Sequence, residues 1–111
     1  MGRYIIRLIR KGQEPFYLEW STVVDAPVTY GMNLSQFHEH YRQEYGESGM
    51  RDLPARMERV EKQGSSSMEG MSAFDIIRFN RAGPNECSLR EWEIYRAYCL
   101  RQPVRGGWLA E

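Results

Sequence analysis

Arg3-Tyr4-Ile5-Ile6-Arg7-Leu8-Ile9-Arg10-Lys11-Gly12-Gln13-Glu14-Pro15-Phe16-Tyr17-Leu18-Glu19-Trp20-Ser21 is the stretch that decides the fold. Tyr4, Ile6 and Leu8 alternate with Ile5, Arg7 and Ile9, a β-branched run that suits a strand with at least one buried face. Lys11-Gly12-Gln13-Glu14 supplies turn chemistry, and Pro15 prevents an immediate helix. Beyond the turn, Phe16, Leu18 and Trp20 face one way while Tyr17, Glu19 and Ser21 face the other. The segment reads as a β-hairpin.

Downstream, Thr22 to Met32 reads as an ordered, extended loop with a short third strand at Val23-Val24. Pro27 excludes a central strand there and pushes Ala26 into extended geometry. A helix then starts at a well-marked cap: Asn33, with Gln36 three residues on, and Met32 and Phe37 at the hydrophobic-staple positions. Its expected apolar stripe is Leu34, Phe37, His38, Tyr41 and Tyr45, and Gly46 is its expected left-handed stop. Asp52 and Pro54 open an expected second helix with Leu53, Met57 and Val60 on one side, ended by Gly64. Ser65 to Gly70 is the most loop-like stretch and the one expected to be most mobile.

The segment 73–80 is ambiguous. Its β-branched content allows a strand, but Ser72 and Asp75 sit at capping-box spacing and Gly83-Pro84 reads as a helix stop, which favours a short helix. In the last element Ser88 is the expected cap, with Glu91 three residues on. Leu89, Trp92, Tyr95 and Cys99 run down one face until Pro103. The expectation is an α+β fold, an N-terminal β-hairpin packed against three or four helices. Residues 1–102 form the expected single domain and 103–111 a Gly-rich C-terminal tail carrying Trp108. A two-stranded sheet is marginal alone, so helices must cover it or a second chain extend it. That makes a homodimer built on the hairpin edge a reasonable expectation.

The 111 residues suit one compact domain. Fifteen Lys+Arg balance fifteen Asp+Glu, which excludes a globally basic nucleic-acid coater and an acidic DNA mimic alike. No apolar run reaches the roughly 20 residues needed to cross a bilayer. Arg7 interrupts the N-terminal apolar stretch, so no signal peptide is expected. Two cysteines, Cys87 and Cys99, are too few for a disulfide scaffold, and the expected compartment is the cytoplasm.

Motifs for catalysis are weak. His38 and His40 are two apart, roughly 200° around a helix, so they do not share one metal; zinc-protease chemistry needs i and i+4. Cys87 and Cys99 lack zinc or redox spacing, and no His is placed to act as base toward Cys87. No phosphate-binding loop of the Walker type, dinucleotide fingerprint or Gly-x-Ser-x-Gly elbow occurs. Nothing in the spacing of Asp25, Asp52 and Asp75 brings them together. The expectation is therefore no enzyme, no catalytic residue, no metal and no cofactor.

Binding groups are more suggestive. Trp20-Ser21-Thr22, running through Asp25 to Thr29-Tyr30-Gly31, joins aromatic faces to hydroxyls. Lys62-Gln63-Gly64-Ser65-Ser66-Ser67 sets a cation before Gly and three hydroxyls, a segment able to form an anion-binding nest of backbone amides. Thirteen of the fifteen basic residues are Arg, the preferred bidentate partner of carboxylate and phosphate; a GC-rich genome gives the same skew. Arg56 and Arg59, three apart, face one ligand together with Lys62, or else pair with Glu58 and Glu61 on a solvated helix.

Trp20-Ser21-Thr22-Val23-Val24-Asp25-Ala26-Pro27-Val28-Thr29-Tyr30-Gly31-Met32, with Asn80-Arg81-Ala82-Gly83-Pro84 later, resembles small accessory proteins encoded by phages and prophages. The resemblance implies a non-enzymatic inhibitor of host defence, acting by sequestering a signal or by occluding a host protein.

Three functions follow as expectations. The first is a phage counter-defence protein that sequesters a nucleotide-like, phosphate-bearing ligand on Trp20, Thr22, Tyr30, Arg59, Lys62, Ser65 and Ser66. The second is an inhibitor that binds a host defence protein through exposed Tyr17, Tyr45 and Trp108. The third is a helix-turn-helix-like DNA binder over 74–100, in which Arg90, Arg96 and Arg101 are diluted by Glu91 and Glu93. Neither a membrane nor nucleic acid is the expected partner.

Overall fold

The computed structural model describes residues 2–81 and 88–102. The hairpin forms as its alternation dictates. β1 (Arg3–Leu8) and β2 (Phe16–Ser21) pair antiparallel without a break, from Arg3 opposite Ser21 to Leu8 opposite Phe16. β3 (Ala26–Pro27) joins the other side of β2, giving the order β1-β2-β3. The short third strand thus lies three residues beyond the expected Val23-Val24, which occupy an exposed turn. Asp25 closes that turn at φ 53°, a left-handed conformation that Asp tolerates better than a β-branched residue. Pro27 is accepted because β3 is an edge strand, where a missing N–H is no loss.

Both edges of the hairpin are taken up within the chain. On the β2 side, Val28 N–H donates to the Glu19 carbonyl at 2.9 Å, and Tyr17 and Met32 exchange two bonds of 2.8 Å. On the β1 side, Arg7 N–H donates to the Gly64 carbonyl and Ser66 N–H to the Ile5 carbonyl, each at 2.9 Å, with Ile6 opposite Ser65. The edge expected to recruit a second copy is therefore occupied along Ile5–Arg7. It is also why Ser65, Ser66 and Ser67 are almost fully buried, although they read as a loop.

α1 (Leu34–Gln63) is two helical stretches meeting at a kink at Gly46, the expected end of the first helix, but the second begins before the expected Asp52 and Pro54. Its start is as read: Gln36 N–H donates to Asn33 Oδ1 at 2.8 Å and Asn33 N–H to Gln36 Oε1 at 3.0 Å. Gly46 does leave helical geometry, at φ 66° and ψ −160°, but the helix resumes at once and runs through Pro54 to Gly64 at φ 93°. A backbone conformation suited to glycine ends the first stretch there and re-aims the chain into the second. Pro54 removes one intrahelical bond from a stretch still anchored by Leu53, Met57 and Val60, all buried. The expected stripe shifts too: Leu34 and His38 are exposed, while Phe37 and Tyr41 are buried and His40 turns half-buried toward the sheet.

The sheet is covered on both faces. Ile5 and Tyr17 pack under α1 against Phe37, Tyr41, Leu53, Met57 and Val60. Ile6, Leu8, Leu18 and Trp20 face the opposite way, against Ala73, Ile76, Ile77, Ile94, Tyr95, Ala97 and Tyr98. This second layer begins with α2 (Ala73–Ile77), a single turn capped reciprocally by Ser72 and Asp75. The helical alternative for 73–80 is the one formed. α3 (Glu91–Ile94) continues into a π-helical turn, Tyr95–Cys99. Arg90, not Ser88, sits at the cap position: its N–H donates to Glu93 Oε1 at 2.9 Å. The Ser88 hydroxyl instead donates to the Asn80 carbonyl at 3.0 Å. Asn80 is buried because its side chain bridges Ile77 O, Leu89 O and Leu89 N–H.

The arrangement is α+β, a three-stranded antiparallel sheet between one long helix and a layer of short ones. Gly83-Pro84, Cys87, Pro103, Trp108 and the 103–111 tail lie outside the described residues. No helix among the described residues is long and apolar enough to cross a membrane.

Candidate functional site

The face of the sheet under α1 is built around charge. Glu19 lies under α1 at 1% exposure, an expensive place for a carboxylate unless its oxygens are satisfied. The Tyr45 hydroxyl donates to Oε1 at 2.5 Å, His40 Nε2 stands 2.7 Å from Oε2, and the Arg3 guanidinium lies 4.0 Å away. Burial first, and then the bond to Glu19, push the Tyr45 phenol up to about 12. Alongside, the Tyr17 hydroxyl donates to Glu61 Oε2 at 2.9 Å and Arg7 to Glu61 Oε1 at 2.6 Å. Burial and that carboxylate raise the Tyr17 pKa as well. Tyr17 is itself buried, so it is no exposed anchor for a partner.

Next to this network opens a cleft of about 940 Å³ between the start of β1, the kinked middle of α1 and residues 66–69. Its basic lining is Arg3, Arg56 and Arg59, its aromatic lining Tyr4, Tyr41 and Tyr45, and Glu44, Asp52 and Glu69 also border it. The kink makes the cleft: Tyr45 precedes Gly46, and Gly49 follows so closely that a Cβ there would stand 2.3 Å from Tyr45 Cβ. Arg56 is committed to structure, donating to the Tyr41 hydroxyl at 2.6 Å, the Arg3 carbonyl at 2.7 Å and Ser66 Oγ at 3.2 Å. Arg59 is not. Only its Nε is used, toward the Ser66 carbonyl at 2.9 Å. Its two terminal nitrogens make no hydrogen bond among the described residues and form a fork available to an oxyanion.

The seven residues expected to bind ligand are dispersed. Arg59 and Ser66 line the cleft. Lys62 is exposed and Ser65 buried beside it, neither in the lining. Trp20, at 1% exposure, is sealed in the apolar core and has no face for a base. Thr22 stands exposed at the end of β2, its N–H donating to the Gly2 carbonyl. Tyr30 lies against the other layer, beside Tyr98 and under the Arg101 guanidinium 4.4 Å from its ring. The expected serine nest does not form either. Gly64 N–H goes to the Val60 carbonyl, Ser66 N–H to the Ile5 carbonyl and Ser67 N–H to Ser65 Oγ, so those three amides are already used.

Arg3 and Tyr4 carry no sequence signal as site residues, and Tyr45, expected as an exposed anchor for a protein partner, is half-buried on the cleft wall. The Arg56/Arg59 spacing was a real signal, since both reach one cleft. Tyr41 and Tyr45 fall on the expected apolar stripe, and their i, i+4 spacing is also what brings two hydroxyls to one wall.

Cys99 is core, its thiol pushed up to about 12 by burial. Among the described residues no group of three or more His, Cys, Asp or Glu is arranged to hold a metal ion. α2 is a five-residue turn, so the pair of full helices required for a helix-turn-helix is not formed among those residues. Compared with protein-family models, with curated proteins and with solved structures, the chain matches none.

Proposed function

We propose that this chain is a non-enzymatic binding protein that retains a nucleotide-like, phosphate-bearing ligand in the cleft beside Gly46. One observation carries the reading: the unused guanidinium fork of Arg59 opens into a cleft of about 940 Å³ that also presents tyrosines and carboxylates. That volume lies in the range of ligand pockets. Arg59 takes the phosphate, with Arg3 adding positive charge. Tyr4 and Tyr41 offer ring surface to a base, and Glu44, Asp52 and Glu69 accept from ribose hydroxyls or an exocyclic amine. A ligand of one sign alone fits this mixed lining less well.

Together with the likeness of residues 20–32 and 80–84 to phage accessory proteins, this supports sequestration of a nucleotide signal of host defence. Calorimetry with mononucleotides and cyclic dinucleotides tests it. Binding is expected to weaken about tenfold or more in Arg59→Gln, the loss of a charge-assisted contact. No heat from any nucleotide at about 50 μM protein overturns it.

A second reading, occlusion of a host protein, draws on Val23, Val24, Met68, Phe74 and Phe79, all at least half exposed. A stoichiometric host partner in a pull-down, lost in Val23→Asp but kept in Arg59→Gln, decides for it.

A further inference from the structure

A smaller cleft of about 380 Å³ lies between the hairpin turn and the C-terminal helical turns, away from the residues of the first. Arg10, Lys11 and Gln13 line it from the turn, and Trp92, Tyr95 and Arg96 from the helix. Leu100 and Gln102 also line it, and no carboxylate does so among the described residues. In a chain of zero net charge this is a local excess of three cations.

Those cations are not consumed internally. None of Arg10, Lys11 and Arg96 is in an ion pair among the described residues, where Arg3, Arg7 and Arg42 are. Aromatic rings hold the two guanidiniums instead. Arg10 stands 5.5 Å over the Tyr95 ring and Arg96 5.5 Å over the Trp92 ring. Such stacking orients a guanidinium plane while leaving its N–H edges free for an oxyanion. Arg96 is further fixed by Nε donating to Gln102 Oε1 at 3.2 Å.

Two features say that the place is built rather than incidental. Trp92, Tyr95 and Arg96 straddle the junction where α3 turns π-helical, a distortion that concentrates at functional sites. Tyr95, which lines the cleft, is 4% exposed, and its hydroxyl has no hydrogen-bond partner among the described residues. An orphaned buried hydroxyl is costly where nothing uses it. Trp92 keeps 39% of its surface open, which leaves ring surface as a platform for a base.

We propose that this cleft is a second, independent anion site that takes a nucleoside monophosphate. The phosphoryl group sits among Arg10, Lys11 and Arg96, and the base lies against the open surface of Trp92. At about 380 Å³ the cleft has room for one nucleotide, and the proposal does not depend on the one made for Arg59.

The test is an NMR titration of the full isotopically labelled chain with AMP, in the native sequence and in Arg59→Gln, so that failure of the first cleft leaves the second readable. The expected result is saturable movement of the Trp92 indole N–H and the Arg10 and Arg96 Nε–H signals in both proteins. Arg96→Gln, at an exposed position, should weaken it about tenfold. Inorganic phosphate should move the arginine signals without the indole, and adenosine should move neither. Still signals up to about 5 mM AMP overturn the proposal. Equal shifts with adenosine overturn its anionic half. Binding of oligo(dT) more than about a hundredfold tighter than AMP overturns the ligand class in favour of a nucleic-acid strand.

Discussion

The two faces of one small sheet are built on opposite principles. Under α1, positions 7, 17 and 19 place Arg, Tyr and Glu against His40, Tyr45 and Glu61, and the contact is a chain of hydrogen bonds. Under α2 and α3, positions 6, 8, 18 and 20 are Ile, Leu, Leu and Trp, and the contact is apolar packing. Burial of hydrocarbon is non-directional and supplies bulk stability. The polar face contributes less net free energy but makes the geometry specific, because each donor must find its acceptor. The larger cleft opens beside the polar face, at the kink that brings Tyr45 onto Glu19.

The strongest challenge to this contrast is Trp20→Ala. Emptying the apolar face should cost about 3–5 kcal/mol in denaturant unfolding, the usual range for deleting a buried large aromatic. A cost below about 1 kcal/mol would mean that this face is not the main store of stability.

Glu19→Ala comes next, at about 2–3 kcal/mol, since His40 and Tyr45 lose their acceptor yet are partly open to water. Glu19→Gln keeps one acceptor and should recover more than half of the loss. Equal costs for the two variants would show that charge, not hydrogen bonding, organises the face.

Gly46→Ala forces a side chain onto φ 66°, ψ −160° and should cost about 1–3 kcal/mol. Its diagnostic effect is on the cleft, where nucleotide binding should fall further than in Pro54→Ala, a change in the same helix away from the kink. Similar binding in both variants would separate the kink from the site.

The smallest effect is alkaline. The folded-state pKa of Tyr45 is raised from 10.0 to about 12, and those of Tyr17 and Tyr95 are raised too. The folded protein therefore holds phenolic protons that the unfolded chain releases first, so stability is intact below pH 10 and declines as pH climbs toward 12. Thermal unfolding across that window should show a shallower decline in Tyr45→Phe. An unchanged slope would place the titrating phenol elsewhere.

Much of this molecule was legible in short-range signals. The alternation at 4–8 and 16–20 specified the hairpin and which residues share a face. The Asn33/Gln36 and Ser72/Asp75 pairs specified two helix starts, because a cap is settled by residues three apart. Gly64 specified an end, since its backbone suits no other residue as well. At the site, the Arg56/Arg59 spacing was legible for the same reason.

Tertiary structure decided the rest. Three consecutive serines look like a solvated loop until the free edge of β1 needs partners; then they become its third row and vanish from solvent. Pro54 looks like a helix start until the buried Leu53, Met57 and Val60 carry the helix past it. Trp20 looks like a stacking platform until a second layer closes over it. Local propensity is settled by a few neighbouring residues and can be read from them. Burial, edge pairing and the convergence of Arg3 with Arg59 depend on segments more than fifty positions apart, whose meeting is set by the packing of the whole chain.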